Sequence, residues 1–104
     1  MATYPESGLP AMHPGELLRE VVLPSLHKSK TEVAEHLGIS RQTLYDILDE
    51  KQPVTTAMAL RLGKLCGNGP ELWLNLQQAF DLEQESKRLA KEIGRIPTLR
   101  AAAA

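Results

Sequence analysis

Residues 29–48 constrain the chain most. Ser29 and Glu32 stand three apart. That is the spacing of a capping box, in which each side chain takes the other residue's backbone amide. The pair sets a helix start near Lys30, after which Val33, Ala34 and Leu37 fall on one face. Gly38 stands where a helix must end in a left-handed residue, a conformation glycine adopts at low cost. Ser40 is a second N-cap, opening a helix from Arg41 to about Leu48 with Leu44, Ile47 and Leu48 turned inward. A start, a stop and a second start this close leave room only for two short helices and a sharp turn. Ala34 is small where the second helix crosses the first, and Ile39, Leu44 and Ile47 seal the pair. The pattern is a helix-turn-helix, whose second helix can enter the major groove of DNA.

The remaining segments also read as helices. Pro14 suits a first helical position, Leu17, Leu18, Val21 and Val22 recur at helical spacing, and Pro24 is expected to close the segment before a polar loop from Leu26 to Lys28. After a turn over 50–54, Thr55 is an N-cap, Met58, Ala59, Leu62 and Leu65 make an apolar stripe, and Gly67 ends it. Gly63 lies inside this helix at a cost of about 1 kcal/mol against alanine, which points to close packing. Pro70 opens another helix, with Leu72, Leu76 and Phe80 on one face and Trp73 beside it. Leu82, Leu89, Ile93 and Ile96 extend a weaker stripe until Pro97. No strand-like alternation and no repeat is found. The fold class expected is all-α with five helices. Residues 1–12 read as a flexible arm with Tyr4, Leu9 and Met12 as apolar contacts, 13–83 as the domain, and 84–104 as a helical extension and tail.

The chain has 104 residues, enough for one small domain. Aromatic residues are only 4%, so the core is expected to be aliphatic. Cys66 is the single cysteine, which excludes an internal disulfide and a multi-cysteine metal site and fits a reducing compartment. His13, His27, His36 and Cys66 lack metal-ligand spacing. No Ser-His-acid order, glycine-rich phosphate loop or paired-carboxylate context stands out. No enzyme, cofactor or metal is therefore expected. No apolar run is long enough to span a membrane, and the N-terminus lacks the basic start and apolar stretch of a signal peptide. The expected compartment is the cytoplasm.

If the helix from Arg41 reads DNA, its exposed N-terminal side chains do so. Arg41 can offer a donor fork to guanine, Gln42 an amide to adenine, and Thr43 a contact to a thymine methyl or a phosphate. Tyr45 and Asp46 lie one turn on, and Asp46 can accept from cytosine N4 or discriminate against wrong sites. Lys30, Ser40 and Lys51 suit phosphates. The bland alternative is that these are solvated helix caps, such as any small helical protein has. Charge weighs against a single copy binding tightly. The formal net charge is -1, and between His27 and Gln52 four Lys or Arg face five Asp or Glu. Phosphate neutralisation supplies most sequence-independent affinity, so one copy binds weakly. Two copies reading half-sites roughly 34–36 Å apart, about one helical turn, offset this. The DNA reading therefore carries a homodimer with it.

Three blocks resemble a known family: His13-Pro14-Gly15-Glu16; Gly38-Ile39-Ser40-Arg41-Gln42-Thr43-Leu44; and Pro70-Glu71-Leu72-Trp73-Leu74-Asn75-Leu76-Gln77 followed by Phe80-Asp81-Leu82. Over residues 13–83 they resemble HigA-type antitoxins of bacterial toxin–antitoxin modules, with the helix-turn-helix of the phage (lambda) repressor and Cro superfamily. The resemblance implies a five-helix lambda-repressor-like domain with an extended C-terminal helix. It implies a HigB-like toxin as partner, a messenger-RNA endonuclease of the RelE superfamily neutralised by complex formation. It also implies a homodimer that represses its own operon through a palindromic operator, with much of the dimer contact made by the C-terminal helices. On this resemblance Trp73, Leu76, Phe80 and Leu82 become core and dimer residues; their alternative is the core of one chain. The chain departs from the family where Asp49-Glu50 replaces a frequent Asn-Gly, placing two acids beside the DNA backbone, and where Gly63 replaces a frequent alanine. Two other readings remain open: a stand-alone repressor with no toxin, and a protein-interaction module that has lost DNA binding.

Overall fold

A histidine, not a hydroxyl residue, starts the first helix. His13 is extended, and its Nδ1 accepts the amide of Gly15 at 2.9 Å, with Pro14 at the first helical position. From there α1 covers residues 14–26 in three runs without a break: Pro14–Leu17, Leu18–Val22 and Leu23–Leu26. Pro24 does not close it, contrary to the sequence expectation. A proline inside a helix lacks an amide hydrogen and drives its ring against the carbonyl four residues back. Here the Leu18–Val22 run widens to π-helical spacing, with the Leu23 amide bonded to the Leu18 carbonyl five residues back. The wider turn makes room for the ring inside a helix that continues to Leu26. The helix ends instead at His27, which is left-handed at φ 54°.

This computed structural model describes residues 10–100. Tyr4 and Leu9 of the expected arm, and the four final alanines, lie outside the described residues. Among the described residues there are six helices and no strand. Beyond α1 they are α2 (Lys30–Leu37), α3 (Arg41–Leu48), α4 (Thr56–Cys66), α5 (Pro70–Arg88) and α6 (Ala90–Gly94). The all-α helix-turn-helix fold with a long C-terminal helix is as expected. The sixth helix is a short one, set off from α5 by Leu89.

The capping box forms as the spacing dictates. Ser29 Oγ accepts the Glu32 amide at 3.1 Å and Glu32 Oε1 accepts the Ser29 amide at 3.1 Å. The Ser29 amide, donating to it, and the Ser29 hydroxyl beside it hold the Glu32 carboxyl below its usual range. Gly38 ends α2 at φ 72°, and a side chain there would also meet Arg61, whose Nη1 donates to the Leu37 carbonyl at 2.7 Å. This bond ties the helix-turn-helix to α4. Ser40 then caps α3 by accepting the Thr43 amide at 3.0 Å.

Two glycines let helices approach until their backbones touch. A Cβ on Gly63 would lie 2.3–2.6 Å from backbone atoms of Gly69 and Pro70, so α4 and the start of α5 are in direct contact there. A Cβ on Gly15 would lie 2.0 Å from the Ile47 carbonyl oxygen, so the start of α1 rests on the end of α3. Leu18, Val33, Leu44, Ile47 and Leu62 are buried between these elements. The core is aliphatic as expected, apart from Trp73. That ring is fully buried, and its Nε1 donates to Asn68 Oδ1 at 3.3 Å. The weak stripe at the C-terminus does not join the core: Ile93, Ile96 and Leu99 are exposed. The molecule measures 54 × 27 × 25 Å, because the chain beyond Glu83 runs past the core and not over it.

His13 gives the fold a pH dependence. The ring is buried, stacks edge-on against Phe80 with centroids 4.9 Å apart, and caps α1 with an unprotonated nitrogen. Burial pushes its pKa down, although the carboxylates of Glu50 and Asp81 pull part of the way back. A histidine with a depressed folded pKa binds more protons when unfolded, so stability rises with pH through that window. Stability is lost as pH falls below the unfolded value of about 6.5. Thermal melts from about pH 7.5 to about pH 5.5 should show a larger drop in Tm for the wild type than for His13→Asn, which keeps a capping acceptor but does not titrate. An equal drop in both would contradict this.

Candidate nucleic-acid interface

The face of α3 opposite Leu44, Ile47 and Leu48 carries the residues expected to meet DNA. Arg41 and Gln42 are exposed at its start, and Tyr45 is 41% exposed one turn on. Thr43 is half-buried, because its hydroxyl is drawn into the cap: Ser40 Oγ donates to Thr43 Oγ1 at 2.9 Å. This end of α3 offers an anion its first backbone amides beside the exposed Ser40 hydroxyl. Lys30 Nζ stands 5.7 Å from the centre of the Tyr45 ring, so the start of α2 and the middle of α3 share one cationic–aromatic contact. Asp46 is half-buried and accepts from Gln42 Nε2 at 2.8 Å. Lys51 is exposed, and its amide closes the turn after α3 by donating to the Asp46 carbonyl at 2.8 Å. The structure thus brings Lys30, Arg41, Gln42, Tyr45 and Asp46 onto one wet edge, with Lys51 just beyond it.

Residues that sequence reasoning missed hold this edge in place. Arg19 reaches from α1 to the Leu48 carbonyl at the end of α3, and also meets Glu20 at 2.8 Å and Glu50 at 3.4 Å. Gln77, buried in α5, accepts the Val54 amide at 2.8 Å and donates to Asp81 at 2.9 Å, which pins the loop that follows α3. Ala11 donates its amide to the Glu83 carboxylate at 3.1 Å, fastening the chain before α1 to α5. Only His13 had a local signal, an acceptor side chain directly before a proline at the first helical position. Arg61, Arg19 and Gln77 act across more than twenty residues of sequence, where no spacing rule applies.

The four C-terminal candidates separate. Trp73 is buried inside one chain. Phe80 is half-buried against His13, and Leu76 is half-buried. Leu82 is half-buried and lines a shallow groove along α5 with Leu74, Gln77, Gln78, Asp81 and Glu85.

Glu50 occupies a left-handed position, φ 61°. The conformation is unfavourable for a non-glycine residue by about 1–2 kcal/mol. Asparagine tolerates it better. Glu50→Asn should raise stability by a few tenths to about 1 kcal/mol, net of the lost contact to Arg19, and should tighten DNA binding by removing a negative charge. Chemical denaturation and a titration at fixed salt check both signs; a looser complex would show that the acid does not face the backbone.

Among the described residues no helix is long and apolar enough to cross a membrane. No protein-family model matches the sequence. Solved structures and curated relatives do match. The chain is 40% identical to the antitoxin GraA, covering 88% of this chain and 100% of that one with a TM-score of 0.81. It is 32% identical to the antitoxin HigA of Pseudomonas aeruginosa, solved with the higBA promoter, covering 86% of this chain and 99% of that one with a TM-score of 0.80. Antitoxin HigA-1 of Vibrio cholerae is 32% identical over 78 residues, 75% of this chain and 73% of that protein. Other relatives carry the names of helix-turn-helix transcriptional regulators, among them YbaQ of Escherichia coli, 35% identical over 88 residues, 83% of this chain and 78% of that protein. With this likeness in sequence and fold over most of both chains, the protein belongs to the HigA-type antitoxin family of helix-turn-helix DNA-binding regulators.

Proposed function

We propose that the protein is an antitoxin with two binding roles. As a homodimer it binds the palindromic operator of its own operon and represses transcription, and it neutralises a HigB/RelE-like messenger-RNA endonuclease by forming a complex with it. The observation that carries the DNA role is the start of α3. Arg41 and Gln42 stand exposed on a helix clamped from behind by Ile47, Arg19 and Gly15, and a similar chain has been solved with its promoter. Arg41, Gln42 and Tyr45 face base edges, while Lys30, Lys51 and the amides that follow Ser40 meet phosphates. The near-neutral charge of the reading region requires two copies. The groove along α5, where Leu74 and Leu82 lie among Gln77, Gln78, Asp81 and Glu85, offers a mixed apolar and polar surface on which a second copy could pair. The toxin role rests on family membership. It implies a neighbouring reading frame for a small basic protein, and a cytoplasmic setting in which both meet nucleic acid.

Co-expression with the adjacent frame, co-purification, and titration of the shared upstream DNA test both roles together. The expected result is a stable complex with the neighbouring product and a steep fall of DNA affinity with salt. DNA binding without any toxin-like neighbour would leave a stand-alone repressor. A toxin complex with no DNA binding at low salt would leave an interaction module.

A further inference from the structure

One side-chain pair on the reading face fixes more than position. Gln42 Nε2 donates to Asp46 Oδ1 at 2.8 Å across one turn of α3. A carboxylate only accepts, so this bond has one direction. The Gln42 carboxamide must turn its NH2 towards Asp46. That NH2 carries two hydrogens, and one is engaged by Asp46. Gln42 therefore faces a base with one acceptor, Oε1, and one remaining donor. Adenine matches this pair, because its N6 donates and its N7 accepts. Guanine presents two acceptors, N7 and O6, and asks for two donors. A free glutamine can turn its whole NH2 to that edge. Gln42 cannot do so without giving up a charge-assisted hydrogen bond.

We propose that Asp46 is a positioning residue that sets specificity. By holding the Gln42 carboxamide in one orientation, it makes α3 select adenine over guanine at the base pair Gln42 meets. Asp46 then needs no base contact of its own, unlike the cytosine contact that its position in the sequence allows. The proposal rests on α3 being the DNA-reading helix, and the test separates the two.

The measurement is a competition titration at fixed salt. The full-length protein is offered the upstream palindrome and a set of duplexes in which each A·T pair of the half-sites is changed in turn to G·C. The proteins are the wild type, Gln42→Ala, Asp46→Ala, Asp46→Asn and Asp46→Glu, each checked for folding by a thermal melt. Gln42→Ala should flatten the preference for adenine at one base pair, which identifies its contact. At that pair Asp46→Ala and Asp46→Asn should lower the ratio of adenine to guanine affinity by about three- to tenfold. Asparagine can accept or donate, so it does not fix the direction. Asp46→Glu remains acceptor-only and should retain most of the preference. Removing a negative charge tightens binding to all duplexes alike and cancels in the ratio. If Gln42→Ala flattens one pair but Asp46→Ala and Asp46→Asn keep the wild-type ratio there, the proposal is overturned while α3 still reads DNA. If Gln42→Ala changes no ratio at any pair, Gln42 reads no base and the proposal falls, while Arg41→Ala decides separately whether α3 reads DNA at all.

Discussion

Gly63→Ala and Gly15→Ala should each destabilise the chain by about 3 kcal/mol, the upper end of the usual cost of forcing an atom into packed space. Helix propensity alone predicts the opposite sign. Alanine in a helix interior is favoured over glycine by about 1 kcal/mol. The added methyl decides the balance. At Gly63 it would lie 2.3 Å from the Gly69 carbonyl carbon and 2.5 Å from the Pro70 nitrogen, and at Gly15 2.0 Å from the Ile47 oxygen. These are backbone atoms in neighbouring elements, so no side-chain rotation relieves the contact. Either α5 moves off α4, or α1 moves off α3. The two variants should differ in function. Gly63→Ala loosens the α4–α5 hairpin, whereas Gly15→Ala disturbs the end of α3 and should weaken DNA binding even where the protein is folded. Urea denaturation at neutral pH measures the first effect. A variant as stable as the wild type would show that these helices do not touch as described.

Arg41→Ala and Gln42→Ala should each weaken specific operator binding by about 1–3 kcal/mol. Both side chains are exposed and neither is needed for the core, so stability should change by no more than about 0.5 kcal/mol. That separation of binding from stability distinguishes readout from the solvated-cap alternative. Lys30→Ala should behave differently. It should lower affinity for all duplexes by a similar factor and reduce the salt slope of the dimer by about two, one phosphate contact per copy. Unchanged operator affinity in both the Arg41 and Gln42 variants would remove α3 from base readout.

The sequence was most legible where chemistry is local. Ser29 with Glu32, Gly38, Ser40 and Thr55 act on amides or carbonyls within a few residues of themselves, so spacing alone places the helix boundaries. Gly63 was legible as an anomaly, since a glycine in a helix interior needs a reason and the Gly69–Pro70 backbone supplies it. Pro24 was misread because its usual effect depends on the turn before it, and nothing in Leu18–Val22 announces π spacing. The Gln42–Asp46 bond was within reach, as residues four apart face each other on a helix. The bonds from Arg61 to Leu37, from Gln77 to Val54 and from Arg19 to Leu48 were not. They join residues that only the finished fold brings together. A candidate face could thus be proposed from sequence, but the parts that hold it rigid could not.

The central claim is that two copies present Arg41 and Gln42 to successive major grooves on one side of a duplex. Dimethyl sulfate footprinting of the upstream DNA tests it most directly, because the reagent attacks guanine N7 in the major groove. Two protected clusters should be seen, about ten base pairs or a multiple of that apart and related by the palindrome, and both should vanish with Arg41→Ala. A single cluster bound at full affinity, or protection that survives Arg41→Ala, would contradict the account.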